Sequence, residues 1–467
     1  MENLEYKKKH ISEIIDNKTE FKMNDFCKEY KEFLNNKTER ECVKYIVGIA
    51  KENGFVNLDN KKTLKPNDKV YIVNKNKNVL MAVIGKCDID NGLNLIASHI
   101  DAPRLDLKQN PLYEDNDMAL MKTHYYGGIK KYQWTSIPLA MHGVIYNKDN
   151  EFIEISIGED DDDEVFCITD LLPHLAKDQM DKKLRDGVEA EKLNVLVGGS
   201  LINDKDISKK VKYNILKILN DRYKIIEKDF FSAEIELVPA FRPKDVGFDR
   251  SFVGGYGQDD RVCSFDNLKA ILDTDNPDKT CISLFVDKEE IGSAGNTGMT
   301  SNFFYESVCE IIKKRDNNCD INKINKVLSN TKCISADVTA AVDPNYKEVD
   351  DSLNAHYAGY GAAICKFTGS RGKSGASDAN CEFVHELTNI FDKNDVIWQI
   401  GELGKVEQGG GGTIAMFITK YNMDVIDIGV PILSMHSPFE IASKYDIYMT
   451  YLAYHSMFNS NFVNSNI

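Results

Sequence analysis

Apolar positions keep one rhythm at both ends of the chain and another in the middle. Over 39–50, Val43, Ile46, Val47, Ile49 and Ala50 recur at roughly helical spacing, and residues 1 to about 55 are predicted to be helical. Short apolar runs of strand length follow at 70–73, 79–84 and 93–97, the last ending at Ser98-His-Ile-Asp101, where a strand gives way to a loop. From 104 to 246 the pattern predicts short strands at 141–146 and 152–157, and a helix over 206–221. The acidic run from Glu159 to Glu164 in this stretch reads as a solvated loop. Beyond 247, strands at 281–286, 333–336 and 424–429 alternate with helices near 303–314 and 379–391. Such alternation predicts an α/β sandwich whose largely parallel sheet is covered by helices. In such sheets ligands gather at the carboxyl ends of the strands. The expected organisation is an α/β domain in two parts, 1–103 and 247–467, with an inserted β-rich domain over 104–246.

Composition narrows the partners. The chain has 467 residues, 42% of them hydrophobic, enough to bury a core in two or three domains. A net charge of −15 argues against nucleic acid or an anionic membrane surface as a partner. The 11 cysteines are scattered without a Cys-x-x-Cys pair, which reads as the reduced thiols of a cytoplasmic protein. Neither a signal peptide nor a run of about 18 apolar residues is expected to place the chain in or across a membrane.

The chemistry is carried by strand ends. Glu289 and Glu290 stand side by side just after the apolar run 281–286, where like charges repel and the fold gains nothing obvious. They make sense if one binds a metal and the other moves a proton. Four other places share this grammar: His99 with Asp101, Asp259 with Asp260 in Gly257-Gln-Asp-Asp-Arg261, Asp337, and His436. Each alone reads as a cap or turn residue, but the ligand arithmetic of the whole set works. A catalytic zinc takes three protein ligands and keeps a position open. With Asp259 bridging two ions, His99 and Asp337 complete one site and Glu290 and His436 the other. Three carboxylates then offset most of the charge of two divalent ions, and without metal they would raise one another's pKa. Oxygen and imidazole donors without thiolate suit zinc first, with cobalt or manganese compatible. A glycosidase also pairs carboxylates but has no use for the two histidines, and a scaffold has none for Glu289. A dipeptidase or N-deacylase built on the same metal pair stays open.

The motif set closely resembles the M18 metallopeptidase family, the aspartyl aminopeptidase and aminopeptidase I relatives, especially its bacterial branch. The residues that carry the resemblance are Ser98-His-Ile-Asp-Ala-Pro-Arg104, Tyr125-Tyr-Gly-Gly128, Gly257-Gln-Asp-Asp-Arg261, Asp287-Lys-Glu-Glu-Ile-Gly-Ser293, Ser335-Ala-Asp337, the stretch from Gly369 to Asp378, and Met435-His-Ser437. The resemblance implies an α/β/α sandwich catalytic domain with an inserted β-rich dimerisation domain, assembled as a homo-oligomer, a tetrahedral dodecamer. It implies removal of N-terminal residues from peptides with a free N-terminus, two divalent metal ions per subunit, and a cytoplasmic setting. His99, Asp259, Glu290, Asp337 and His436 match the metal ligands. Asp101 matches the carboxylate that orients His99, and Glu289 the general base. Lys288 stands where the eukaryotic branch has His, a position that is not a ligand. The resemblance also suggests that His174, in Asp170-Leu-Leu-Pro-His-Leu-Ala176, reaches a neighbouring subunit's site and donates to the developing oxyanion. A surface histidine is the competing reading.

Lys366 stands near the place where acid-selective relatives put a lysine for the substrate side chain, with Arg371 and Lys373 as alternatives. A preference for N-terminal Asp or Glu would follow, whereas simple balancing of surface charge is the plainer reading of all three. Gly409-Gly-Gly-Gly412 lacks the Lys-Ser/Thr of a phosphate loop and reads as a close-approach loop lining the substrate cleft. His10, His124, His142, His356, His385 and His455 are read as surface or packed residues.

Overall fold

The computed structural model describes residues 4–462. They divide into two compact units, one made of 4–101, Pro243–Met435 and 440–462, the other of Ala102–Arg242 and His436–Phe439.

In the first unit, the N-terminal helices begin where side chains can satisfy their open backbone N–H groups. The Asp16 side chain accepts from the Thr19 N–H at the start of the helix Asn17–Leu34, and Thr38 and Glu41 form a reciprocal capping box on the helix Glu39–Glu52. Behind them lies a sheet whose strands run, across its width, Val56–Asn57, Lys69–Asn74, Asn78–Val83, Cys281–Val286, Asn94–His99, Lys332–Ser335, Asp424–Gly429, Ala362–Cys365 and Trp398–Ile400. Its centre is parallel: Cys281–Val286, Asn94–His99, Lys332–Ser335 and Asp424–Gly429 all run the same way. The strands Asn78–Val83 and Ala362–Cys365 pair antiparallel to the flanks of that centre.

Alternation within single strands builds the layers. Val79, Met81 and Val83 point into one buried apolar cluster, and Leu80 and Ala82 into another. The first cluster also holds Phe26, Tyr30 and Phe33 of the N-terminal helix, Phe265 and Leu268 of the helix Gln258–Leu272, and Tyr454 and Phe458 of the helix Lys444–Phe458. The second holds Phe304, Val308 and Ile311 of the helix Phe303–Asp316 and Val327 and Leu328 of the helix Ile321–Ser329. Helices therefore cover both faces of the sheet, the sandwich expected from the sequence. A smaller mixed sheet of short strands, Lys244–Val246, Phe252–Gly255, Glu440–Ser443, Pro431–Leu433 and Thr339–Ala340, completes this unit.

The second unit is a six-stranded antiparallel sheet, in the order Phe152–Ile157, Leu139–Tyr146, Glu234–Pro239, Arg104–Asp115, Met118–Tyr126 and Asn194–Gly198. The helix predicted over 206–221 is observed as Lys210–Tyr223. The acidic run is a loop, as expected, with three of its side chains held by hydrogen bonds. Asp163 accepts the backbone N–H groups of Gly158, Glu159 and Asp160, Glu159 meets His142 at 2.9 Å, and Glu164 is bonded to Arg222. Asp160, Asp161 and Asp162 stay exposed, as a solvated loop predicts. Among the described residues no disulfide is formed, and no helix is long and apolar enough to cross a membrane.

Candidate metal centre

The parallel register of the central sheet brings the candidate residues of the first unit together. His99 is the last residue of its strand, directly opposite Val286 of the neighbouring strand, and Ser335 lies beside Ala97 on the other side. The three strands therefore end at one level, and the residues that follow them, Asp101, Glu289, Glu290 and Asp337, emerge from one edge.

His99 is almost wholly buried. Its Nδ1 lies 3.3 Å from Asp101 Oδ1 and 3.1 Å from the Asp101 carbonyl oxygen, both of which only accept. Nδ1 is thus a protonated nitrogen, which would leave Nε2 to offer its lone pair to a bound metal. Nε2 sits 3.3 Å from Asp259 Oδ1 and 3.9 Å from Asp337 Oδ1. The His99 carbonyl accepts from Ser264 Oγ at 2.7 Å, which fixes the strand end.

Asp101 also organises the two glutamates. Its Oδ1 accepts the Glu289 backbone N–H at 3.1 Å and its Oδ2 the Glu290 backbone N–H at 3.2 Å. The turn Glu289–Ile291 is entered and left through left-handed residues, Lys288 at φ 68° and Gly292 at φ 90°. Lys288 tolerates that conformation while its backbone N–H and Nζ both donate to Asp287, and Nζ also bonds Thr297 Oγ1 at 2.8 Å.

Asp259 and Asp260 open the helix Gln258–Leu272 through non-helical backbone, and the peptide between them is cis. The Asp259 N–H donates to Glu440 Oε2 at 3.2 Å, while Asp260 Oδ2 accepts the His99 N–H at 3.4 Å. Asp260 is completely buried, so it does more than shape the turn.

Two groups of possible ligand atoms within 4.8 Å of one another share His99: His99 with Asp259 and Glu290, and His99 with Asp260 and Asp337. The second pairs Asp260, not Asp259, with Asp337. The electrostatics fit a divalent cation. Burial pushes the Asp337 carboxyl well above the usual range, and Asp260 beside it adds to the shift. Burial does the same to Asp260, with Asp259 adding repulsion. Burial alone would pull the His99 imidazole down, yet Asp101 and Asp259 hold it well above its ordinary value. Crowded acidic oxygens and one oriented imidazole, without a thiolate, are donors for zinc or a similar ion.

The other predicted residues make contacts of their own. His436 groups with the β-rich unit, where its Nδ1 donates to the Gly128 carbonyl at 2.8 Å, leaving Nε2 as the nitrogen with the lone pair. A Cβ on Gly128 would stand 3.3 Å from that ring, a tight contact. His174 sits in the exposed turn Pro173–Leu175. Lys366 and Lys373 both hold Asp378, each at 2.8 Å, and Arg371 is exposed. Gly409 and Gly410 are the close-approach residues expected: a Cβ would strike the Leu403 carbonyl from the first and the Gly369 carbonyl from the second. His142 and His356 are buried and hydrogen-bonded, in keeping with packed residues. Glu440 and Thr297 support the site without any motif that marks them in the sequence.

The comparisons with known proteins agree with one another. The family described as Aminopeptidase I zinc metalloprotease (M18) matches residues 33–458. A probable M18 family aminopeptidase 1 of Clostridium acetobutylicum is 50% identical over 436 residues, covering 92% of this chain and 94% of the relative. The protein of the same name from Thermotoga maritima is 50% identical over 433 residues, covering 92% and 95%. The crystal structure of an M18 family aminopeptidase from Thermotoga maritima superposes with a TM-score of 0.94 at 47% identity, over 97% of this chain and all of that one. The mApe1 dodecamer of Saccharomyces cerevisiae shares the fold, with a TM-score of 0.74 at 18% identity over 93% of this chain and 96% of that one.

Proposed function

The chain belongs to the M18 family of zinc aminopeptidases and is a hydrolase, and we propose that it releases N-terminal residues through two metal ions and a glutamate base. The observation that carries this reading is Asp101, whose one carboxylate meets His99 Nδ1 and the backbone N–H groups of both Glu289 and Glu290.

His99, Asp259, Glu290 and Asp337 would hold the metal, Asp259 between the two ions, and His436 belongs to the set on its sequence motif. When bound, the ions polarise the scissile carbonyl and make water more acidic. Glu289 takes the proton from the attacking water and returns it to the leaving amine. Asp101 fixes the tautomer of His99 and the backbone position of Glu289 at once. His174 would donate to the oxyanion in a neighbouring subunit of a homo-oligomer, an assembly known for the mApe1 relative as a dodecamer. The substrates are peptides with a free N-terminus. Lys366, Arg371 and Lys373 would favour an acidic first residue. The inserted β-rich segment, 104–246, would serve as the dimerisation domain, and the setting would be cytoplasmic.

Substituting Glu289→Gln tests this. The variant should keep its zinc, measured by elemental analysis, and lose turnover of aminoacyl-nitroanilides by about a hundredfold or more, the usual share of a general base. Full turnover would remove Glu289 from the reaction. Matched N-acetylated substrates separate the rival: cleavage of those alone would mean a deacylase.

A further inference from the structure

A large, partly open apolar cavity lies in the β-rich unit. Its volume is about 640 Å³. Close-packed interiors leave few voids larger than a water molecule, and small-molecule sites span about 300–1,000 Å³ with mostly apolar walls. The floor is the six-stranded sheet, which contributes Met121, Met141, Ile155 and Ile235, each no more than 5% exposed. The roof is the helix Lys210–Tyr223, which contributes Ile215 and Ile218. Among its residues only Val211 is fully buried, so the helix does not pack down on the sheet along its length. It meets the floor near its start, where the Lys212 N–H donates to Glu114 Oε2 at 2.9 Å, and at Gly198, where a Cβ would come within 2.5 Å of Ile215.

The mouth has a different character. Asn214, Glu164 and Arg222 line it, and the Arg222 guanidinium is bonded to the Glu164 carboxylate with both side chains about half exposed. Glu164 shows that this guanidinium accommodates a carboxylate at the rim. A guanidinium carries five N–H donors in a planar fork, so it can turn to a second carboxylate. The unbranched methionine side chains on the floor can adjust to a flexible guest. The recessed walls suit a chain that enters the unit better than a flat face of another protein.

We propose that this cavity is a binding site for an unbranched aliphatic carboxylate, its chain between the sheet and the helix and its head on Arg222 in place of Glu164. Titrating the full-length protein with dodecanoate, dodecanol and dodecylamine in a calorimeter tests it. The expected result is one saturable site per chain for dodecanoate. Arg222→Gln should weaken dodecanoate by about tenfold, the loss of a charge-assisted hydrogen bond, and leave dodecanol unchanged. Ile215→Trp should fill the cavity and abolish binding. Ile218→Trp does the same from the more exposed side of the helix and serves if the first variant does not fold by circular dichroism. Failure of dodecanoate to saturate, equal binding of the amine, or undiminished binding in a folded tryptophan variant would each overturn the proposal. So would dissociation of an oligomer by the tryptophan variants, since the cavity would then hold part of a second copy.

Discussion

The backbone N–H of Glu289 donates to Asp101 Oδ1 at 3.1 Å, across 188 residues of sequence. The same oxygen lies 3.3 Å from His99 Nδ1. A side chain that orients an imidazole therefore also sets where the proposed base begins.

Replacing Asp101 should therefore damage two properties together. Asp101→Ala is expected to lower metal affinity by about 10–100-fold, as the loss of a histidine's hydrogen-bond partner does. Turnover should fall further than metal loss explains, because Glu289 is no longer held. Comparing kcat at saturating zinc with metal content after dialysis separates the two effects.

Glu290→Gln should behave differently from its neighbour. With a ligand of one metal group weakened, activity should return at high zinc, whereas Glu289→Gln should stay inactive at every zinc concentration. Zinc titrations of both variants against one nitroanilide substrate provide the comparison.

The helix Gln258–Leu272 ties the site to the core. Phe265 packs its ring 5.1 Å from Phe26, 5.5 Å from Tyr30 and 5.7 Å from Phe33. Phe265→Ala should cost about 3–5 kcal/mol in urea unfolding, the range for a buried aromatic truncated to Ala. Because the same helix starts at Asp259 and Asp260, zinc retention should weaken as well.

Asp378 pairs with both Lys366 and Lys373 and offsets one of their two charges. Asp378→Asn should release their charge and raise the kcat/KM ratio of glutamyl- to leucyl-nitroanilide. An unchanged ratio would place these lysines outside the recognition of the first residue.

Two buried groups should shape stability against pH in opposite directions. Burial pushes the Asp446 carboxyl from 3.8 up to about 8, although the N–H groups of Gly359 and Gly361 donate to it. Folded Asp446 keeps its proton where the unfolded chain has lost it, so its contribution is complete below 3.8 and disappears as pH rises to about 8. Burial lowers His356 from 6.5 to about 4, so its contribution is present above 6.5 and lost as pH falls to about 4. The two slopes offset each other between about 4 and 6.5, leaving the Asp446 term to reduce stability above 6.5. That fall is about 1.4 kcal/mol per pH unit. Asp446→Asn should flatten it, as urea midpoints at pH 6.5, 7.2 and 8 would show.

Much of the central sheet was legible because its strands are buried on both faces and read as largely apolar runs. The run at 281–286 matches Cys281–Val286, and the run at 424–429 matches Asp424–Gly429. The strands Ala362–Cys365 and Trp398–Ile400, and the short strands of the smaller sheet, are too brief to show a period. The antiparallel direction of Asn78–Val83 left no mark either, since both of its faces are buried. Motif residues with a chemical role could be singled out from their types. Glu440 and Thr297 could not, because each acts through hydrogen bonds that only the folded chain brings together. Asp260 was read as a turn residue, and only its burial beside His99 gives it more weight.

The placement of His99, Glu289 and Asp337 on adjacent strand ends has a consequence for the growing chain. The strand Asn94–His99 lies between Cys281–Val286 and Lys332–Ser335, so its two neighbours are synthesised long after it. Until residue 337 has emerged, His99 lacks one of the carboxylates beside it, and partial chains hold an incomplete donor set. Tight zinc retention should therefore appear late in synthesis and abruptly, as a mark that the two ends of the domain have found each other.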